Sequence, residues 1–160
     1  MEIIQAKADL LPQILPVYAR AREFMAATGN PNQWGKTSPS VELLQNHIAN
    51  GNLYALCHEG RIVGAFAMIP GEDPTYNYIE GSWNYDLPYA AIHSVASDGS
   101  VKGLFSQILE FCSKSSAYLR IDTHHDNKVM QHVLEKHGFM QCGVIYLENG
   151  DPRIAYDRKV

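Results

Sequence analysis

Cysteine is scarce in this chain and poorly placed for cross-linking: Cys57, Cys112 and Cys142 are odd in number, far apart and without any C-x-x-C pair. That argues against a disulfide scaffold and fits reduced thiols serving as small core residues. Long apolar runs are missing too. No stretch reaches the ~18 uninterrupted apolar residues of a membrane span, so neither a spanning helix nor a membrane partner is expected. Basic clusters stop at Arg158-Lys159 and the formal net charge is −4, which argues against a nucleic-acid footprint and for a small polar substrate. The opening Met1-Glu-Ile-Ile-Gln-Ala-Lys7 lacks a basic region followed by an apolar stretch and a small-residue cleavage site. No secretory signal is read there, and a cytoplasmic location is the expectation. Nothing repeats internally. What the chain does have is 160 residues, 46% of them hydrophobic, enough for one sizeable core and too few for two ordinary domains. One domain, 1–160, is expected.

Periodicity divides the chain into alternating elements. Ile3 and Ile4 open a short strand, and Ala8-Asp9 precedes a helix over about Leu10 to Ala27, whose apolar positions Leu11, Ile14, Leu15, Tyr18, Ala21 and Met25 keep helical spacing. The turn-rich stretch from Gly29 to Ser40 holds a lone Trp34 and ends at Ser40, which suits the N-cap of a second helix through Ile48. Leu53 to His58 and Ile62 to Ile69 read as a hairpin joined at Glu59-Gly60-Arg61, hence antiparallel. Pro70-Gly-Glu-Asp-Pro74 breaks the pattern, Tyr76 to Glu80 extends the sheet, and Tyr89 to Ala96 is the next strand. From there the order becomes strand, helix, strand, helix, strand. Leu104, Ile108, Leu109 and Cys112 form one helical stripe, and Tyr118 to Asp122 is a strand parallel to its predecessor. Asp126 or Asn127 opens a last helix that ends at Lys136-His137-Gly138, before a hairpin from Met140 to Glu148 and Ile154 to Asp157.

The run Val95-Ala96-Ser97-Asp98-Gly99-Ser100-Val101-Lys102-Gly103 carries the strongest chemical hint. A loop with two glycines feeding a helix can aim backbone N–H groups at a phosphate, with the positive end of the helix dipole behind them. Gly and Asp also occur in strand-to-helix turns for conformational reasons alone. A Rossmann reading would need G-x-G-x-x-G after the first strand, whereas this loop follows an antiparallel meander.

The order of elements, the Val101-Lys102-Gly103 step into a helix, and Asn127 opening a helix that closes on Gly138-Phe139 resemble the GNAT family of acetyl-CoA-dependent N-acetyltransferases. The resemblance implies a mixed α/β (α+β) fold: a mostly antiparallel sheet of six to seven strands, one parallel splayed pair and flanking helices. It implies acetyl-CoA as co-substrate, with Val95 to Gly103, Leu104, Phe105 and Asn127 on the cofactor, no metal, a small-molecule or peptide amine as acceptor, and a sheet that lets two copies form a homodimer. Leu104-Phe105 stand where the family expects a small residue, and Leu134 where many members carry a tyrosine acid. Those two departures keep open a non-catalytic acyl-CoA-binding or sensor module.

Acetyl transfer to an amine needs a base, an oxyanion donor and a proton for the leaving sulfur. A backbone N–H at Val95 suits the second need. His93 is the first candidate for base, since an imidazole titrates near neutrality and period two places it on the strand face of Ala91 and Val95; a satisfied sheet histidine is the plain alternative. Glu80 is a second base, acting through water, or an ordinary exposed carboxylate. Tyr146 is a replacement acid or an ordinary strand tyrosine. His124-His125-Asp126 looks like a metal triad, but neighbours on an extended segment are expected to face opposite ways. Asp122-Thr123-His124 fits better as a strand end at a substrate edge. Trp34, Trp83 and Tyr85, in irregular segments, suit an acceptor pocket or a lid over the core. No cysteine falls in these motifs, so direct transfer without a covalent enzyme intermediate is expected.

Overall fold

Turn chemistry and side-chain alternation resolve into eight strands and four α-helices in the computed structural model, which describes residues 1–160. In chain order they are β1 (Glu2–Gln5), α1 (Leu11–Ala27), α2 (Val41–Ala49), β2 (Leu53–His58), β3 (Arg61–Pro70), β4 (Glu80–Gly81), β5 (Ala90–Ser97), α3 (Leu104–Ser113), β6 (Tyr118–Thr123), α4 (Lys128–Lys136), β7 (Met140–Tyr146) and β8 (Pro152–Lys159). The strands form one sheet in the order β1-β2-β3-β5-β6-β8-β7-β4, antiparallel except for β5 and β6. This is the mixed architecture the sequence implied, with one correction in strand number. The expected strand from Tyr76 to Glu80 shrinks to Glu80–Gly81, because Pro74–Tyr76 close a 3-10 turn capped by Asp73. A 3-10 turn over Ala8–Leu10 likewise delays α1 to Leu11.

Local signals explain the boundaries. Ser40 Oγ accepts the Leu43 N–H at the start of α2, and Asn127 Oδ1 accepts the Met130 N–H at the start of α4, each satisfying a donor that the first helical turn leaves unpaired. The two sheet faces are covered by different helices. Ile14, Val17 and Tyr18 of α1 and Leu44 of α2 bury Ala65, Ala67 and Ala96. Leu104, Phe105, Ile108 and Leu109 of α3 and Leu134 of α4 bury Phe66, Ile92, Leu119 and Ile121 on the other face. Each large side chain in that cluster contributes about 1.5–3 kcal/mol by leaving water. No helix is long and apolar enough to cross a membrane.

Two irregularities prepare the site. β5 and β6 pair only over Ala90–Ile92 and Leu119–Ile121, so the sheet opens beyond Ile92. In β5, Ala96 pairs with Ala65 and His93 with Ala67, leaving Ser94 and Val95 opposite Phe66 alone. This is a β-bulge, and Ser94 adopts the left-handed φ of 55° within it. The bulge corrects the period-two expectation for His93 and Val95. His93 shares its face with Ala91 and Ala96, while Val95 packs against the α3–α4 side.

Candidate active site

The opening between β5 and β6 forms a cavity of about 450 Å³. Ile92, His93, Ser94 and Val95 line one wall and Ile121, Asp122 and Thr123 the other, with Met130 of α4, Trp34 and His47 also on the lining. Tyr18 helps hold the bulge: its hydroxyl donates to the Ser94 carbonyl at 2.7 Å.

His93 sits between two carboxylates. Its Nε2 lies 2.7 Å from Asp73 Oδ2 and its Nδ1 3.9 Å from Asp122 Oδ2, and about 25% of its side chain stays exposed. Asp73 arrives from the turn after β3 and is held in place. Its Oδ1 accepts the Thr75 N–H and hydroxyl, and its own N–H donates to the Tyr89 hydroxyl. The Tyr76 hydroxyl donates to Asp122 Oδ2 at 2.7 Å. Burial works to depress the His93 pKa, but the Asp73 hydrogen bond and the charges of Asp122 and Asp73 outweigh it and leave it above 6.5. For Asp73 burial acts upward, yet the hydrogen bonds from His93 and Thr75 and the His93 charge carry it below 3.8. His47 differs: burial first, and the His93 charge second, hold it below 6.5.

A second polar cluster closes the far side. Gln33 Oε1 accepts from Asn30 Nδ2 and Asn127 Nδ2, both at 2.9 Å, which straps the loop after α1 to the start of α4. Arg153 of β8 is 6% exposed and donates to the carbonyls of Pro152 (2.9 Å) and Gln33 (3.3 Å). Thr123 Oγ1 is buried in the same wall without a partner.

At the loop end, Asp98 Oδ1 accepts the Ser100 N–H and hydroxyl, and Ser97 Oγ accepts the Gly99 N–H. Gly103 takes φ 79° as the N-cap of α3, and a Cβ added there or at Gly99 would meet nothing within 4 Å. Leu104 and Phe105 are buried in the core, so their bulk lies away from the loop that the family motif keeps small. Leu134 is equally buried.

The remaining candidates scatter. Trp34, His93, Val95 and Asn127 reach the cavity, although Asn127 already spends its amide on the α4 cap and on Gln33. Glu80 and Tyr146 do not reach it. They bond each other at 2.9 Å on the exposed β4–β7 edge, because the register pairs β4 with β7 rather than with β5. Trp83 and Tyr85 also lie elsewhere: Trp83 donates to the Tyr76 carbonyl and stacks under Arg120 at 4.1 Å, and the Tyr85 carbonyl accepts from Arg120. His124 is turned inward, its Nδ1 accepting the Asp126 N–H, and lies outside the cavity lining. Its ring stacks on His125 at 4.2 Å, so a turn there replaces the opposed side chains expected of an extended segment. Sequence reasoning missed Asp73, His47, Gln33 and Arg153 as site residues. Only the Asp73-Pro74 pair, a turn and cap signature, offered a local signal.

No protein-family model matches the chain, and none of the curated proteins does. Solved structures do. A GNAT-family acetyltransferase from Streptococcus agalactiae is 28% identical, with 99% of this chain and 95% of that one covered and a TM-score of 0.87. A ribosomal-protein-alanine N-acetyltransferase from Brucella melitensis is 18% identical, with both chains fully covered (100%) and a TM-score of 0.65. The N-acetylglutamate synthase of Neisseria gonorrhoeae, solved with coenzyme A and N-acetyl-glutamate, is 16% identical with a TM-score of 0.59; the match covers 99% of this chain and 34% of that one.

Proposed function

We propose that this chain, which has the fold of the GNAT acetyltransferases, is an acetyl-CoA-dependent N-acetyltransferase that passes an acetyl group directly to the amine of a small molecule or peptide. The observation that carries the reading is the His93–Asp73 pair on the wall of the cleft where β5 and β6 part.

The residues fit an acyl-CoA. The unpartnered Thr123 hydroxyl lies in the cleft wall, and the open space over Gly99 and Gly103 leaves the N-terminus of α3 accessible. Bound there, acetyl-CoA supplies a thioester carbonyl open to attack and a thiolate leaving group. The first N–H groups of α3 and the Lys102 ammonium hold phosphates, and the Val95 N–H at the bulge offers a donor to developing negative charge on oxygen. Asp73 keeps the proton on Nε2, which leaves Nδ1 to take the proton of the acceptor amine. Asp122, 3.9 Å from Nδ1, stabilises the imidazolium that forms. The proton held on His93 then returns to the departing sulfur directly or through solvent. Burial pushes the Cys112 and Cys142 thiols up to about 12, and no cysteine lines the cleft, which supports transfer without an acyl-enzyme.

The test is release of free coenzyme A thiol from acetyl-CoA with a panel of amines, run on the wild type and His93→Gln. Amine-dependent release that collapses in the variant supports the proposal. Release that His93→Gln leaves untouched, or none with any amine, overturns it.

A further inference from the structure

Arg153 is a buried cation with too few partners. It is 6% exposed, yet its hydrogen bonds go only to the carbonyls of Pro152 and Gln33. A guanidinium has five N–H donors. No carboxylate lies within 4.0 Å of it, since every ion pair in the molecule involves a histidine. Asp122 and Asp151 support its charge from farther away, against the burial that opposes it, and at neutral pH it stays charged. Buried charges are ordinarily paired, and the planar guanidinium fork matches a carboxylate in bidentate fashion. Arg153 also lines the cavity, which is where a carboxylate taking that partner position would sit.

The other charges in the cleft supply the opposite pole. Asp73 and Asp122 each bring a negative charge, and His93 between them cancels only one when protonated, so this cluster stays net negative. His47, on the same lining, and His124, near Arg153, are held toward the neutral form chiefly by burial, and so add little positive charge. The cleft is thus bipolar, acidic at His93 and basic at Arg153. A polyamine would meet Arg153 as a like charge, and a simple amine would bring no carboxylate into contact with it.

We propose that the acceptor is a zwitterion of the amino acid class, its carboxylate held by Arg153 and its amine directed to His93. This rests on the transfer reading of the same cleft. A cavity of about 450 Å³ suits a ligand of that size beside an acyl chain.

The test separates the two claims. L-alanine, L-leucine, L-phenylalanine and L-glutamine, each against its carboxamide, are titrated calorimetrically into the wild type with and without saturating coenzyme A. At least one carboxylate is expected to bind about 10- to 100-fold more tightly than its amide, the worth of a hydrogen-bonded charge pair. Arg153→Met erases the preference, and Arg153→Lys, which keeps the charge but not the fork, retains part of it. Equal binding of acid and amide, a preference that survives in Arg153→Met, or no carboxylate binding at millimolar concentration overturns the assignment. The wild-type comparison decides even if Arg153→Met fails to fold. Carboxylate-selective binding without turnover upholds Arg153 and sinks the transferase reading; turnover confined to amides and simple amines does the reverse.

Discussion

Asp73 Oδ2 lies 2.7 Å from His93 Nε2 although one residue leaves a turn after β3 and the other stands in mid-strand on β5. The carboxylate is fixed by Thr75 and the imidazole by the sheet, so the free nitrogen is Nδ1, aimed at the cleft where β6 has diverged. Activity should therefore rise with pH as His93 gives up its proton. Asp73→Asn removes the hydrogen bond to a carboxylate and one of the two charges that raise the His93 pKa. The rise in kcat/KM is expected at lower pH in that variant, with a rate at neutral pH about 10- to 100-fold below wild type from lost orientation. His93→Gln should cost at least about 100-fold at every pH. Profiles of kcat/KM against pH check both, and an Asp73→Asn profile that keeps the wild-type position would contradict the assignment.

The same contacts set a pH dependence of stability. The folded-state pKa of His93 is raised, so its contribution is complete below 6.5 and fades as pH rises through the folded value. Asp73 is depressed below 3.8, so its contribution is complete above that value and fades as pH falls through the folded one. His47 and His124, both lowered, act oppositely to His93, adding stability above 6.5 and losing it in acid. A His93→Gln variant removes the first effect together with the parts of the Asp73 and His47 shifts that His93 causes. Above about pH 5 Asp73 is ionised in the wild type, so the His93 proton dominates the difference. The Tm advantage of wild type over His93→Gln should be largest near pH 5–6 and shrink toward pH 9, as read by calorimetric melts across that range.

The architecture was legible because its signals are local. Ser40 and Asn127 announce helix starts, Gly138 an end, and the hairpin at Glu59-Gly60 its own register. The site was legible at His93, Val95, Asn127 and Trp34 and at the strand end Asp122-Thr123. Its other members meet through space: Gln33 reaches Asn127 across 94 positions and Arg153 reaches Gln33 across 120. The bulge at Ser94 has no glycine to mark it, and it reassigned Val95 to the opposite face. Glu80 and Tyr146 were read on strands, and strands they occupy, but pairing order sent them to the sheet edge.

Gly103 offers a clean test of the loop proposed to hold the phosphates. Its φ of 79° disfavours most side chains, while the space around it is open. Asn tolerates this left-handed conformation better than most residues, so Gly103→Asn should fold with little loss and bind coenzyme A nearly as well as the parent. Gly103→Asp adds a negative charge of the same shape beside the proposed phosphates. Calorimetric affinity for coenzyme A is expected to fall at least about 10-fold from the Asn to the Asp variant at low salt, and by less at high salt, because screening shortens the reach of the charge. Equal affinities would remove the phosphates from this loop.

Gly64 of β3 makes room for the first residue of α3. A Cβ there would stand 2.5 Å from Leu104 Cδ2 and 3.1 Å from both the Ala96 carbonyl oxygen and Leu56 Cδ1. Leu104 is 6% exposed and locked among core neighbours, so it cannot swing clear, and the carbonyl belongs to the strand that carries His93. Gly64→Ala should cost about 1–3 kcal/mol from overpacking, and Leu104→Ala about 2–5 kcal/mol from the cavity it leaves. Combined, the two should cost less than their sum, since the new methyl occupies part of the space that Leu104 vacates. Urea unfolding of the four proteins in the cycle measures the coupling. Additive losses would show that Gly64 is small for a reason other than the packing of Leu104, such as the close approach of the Ala96 carbonyl.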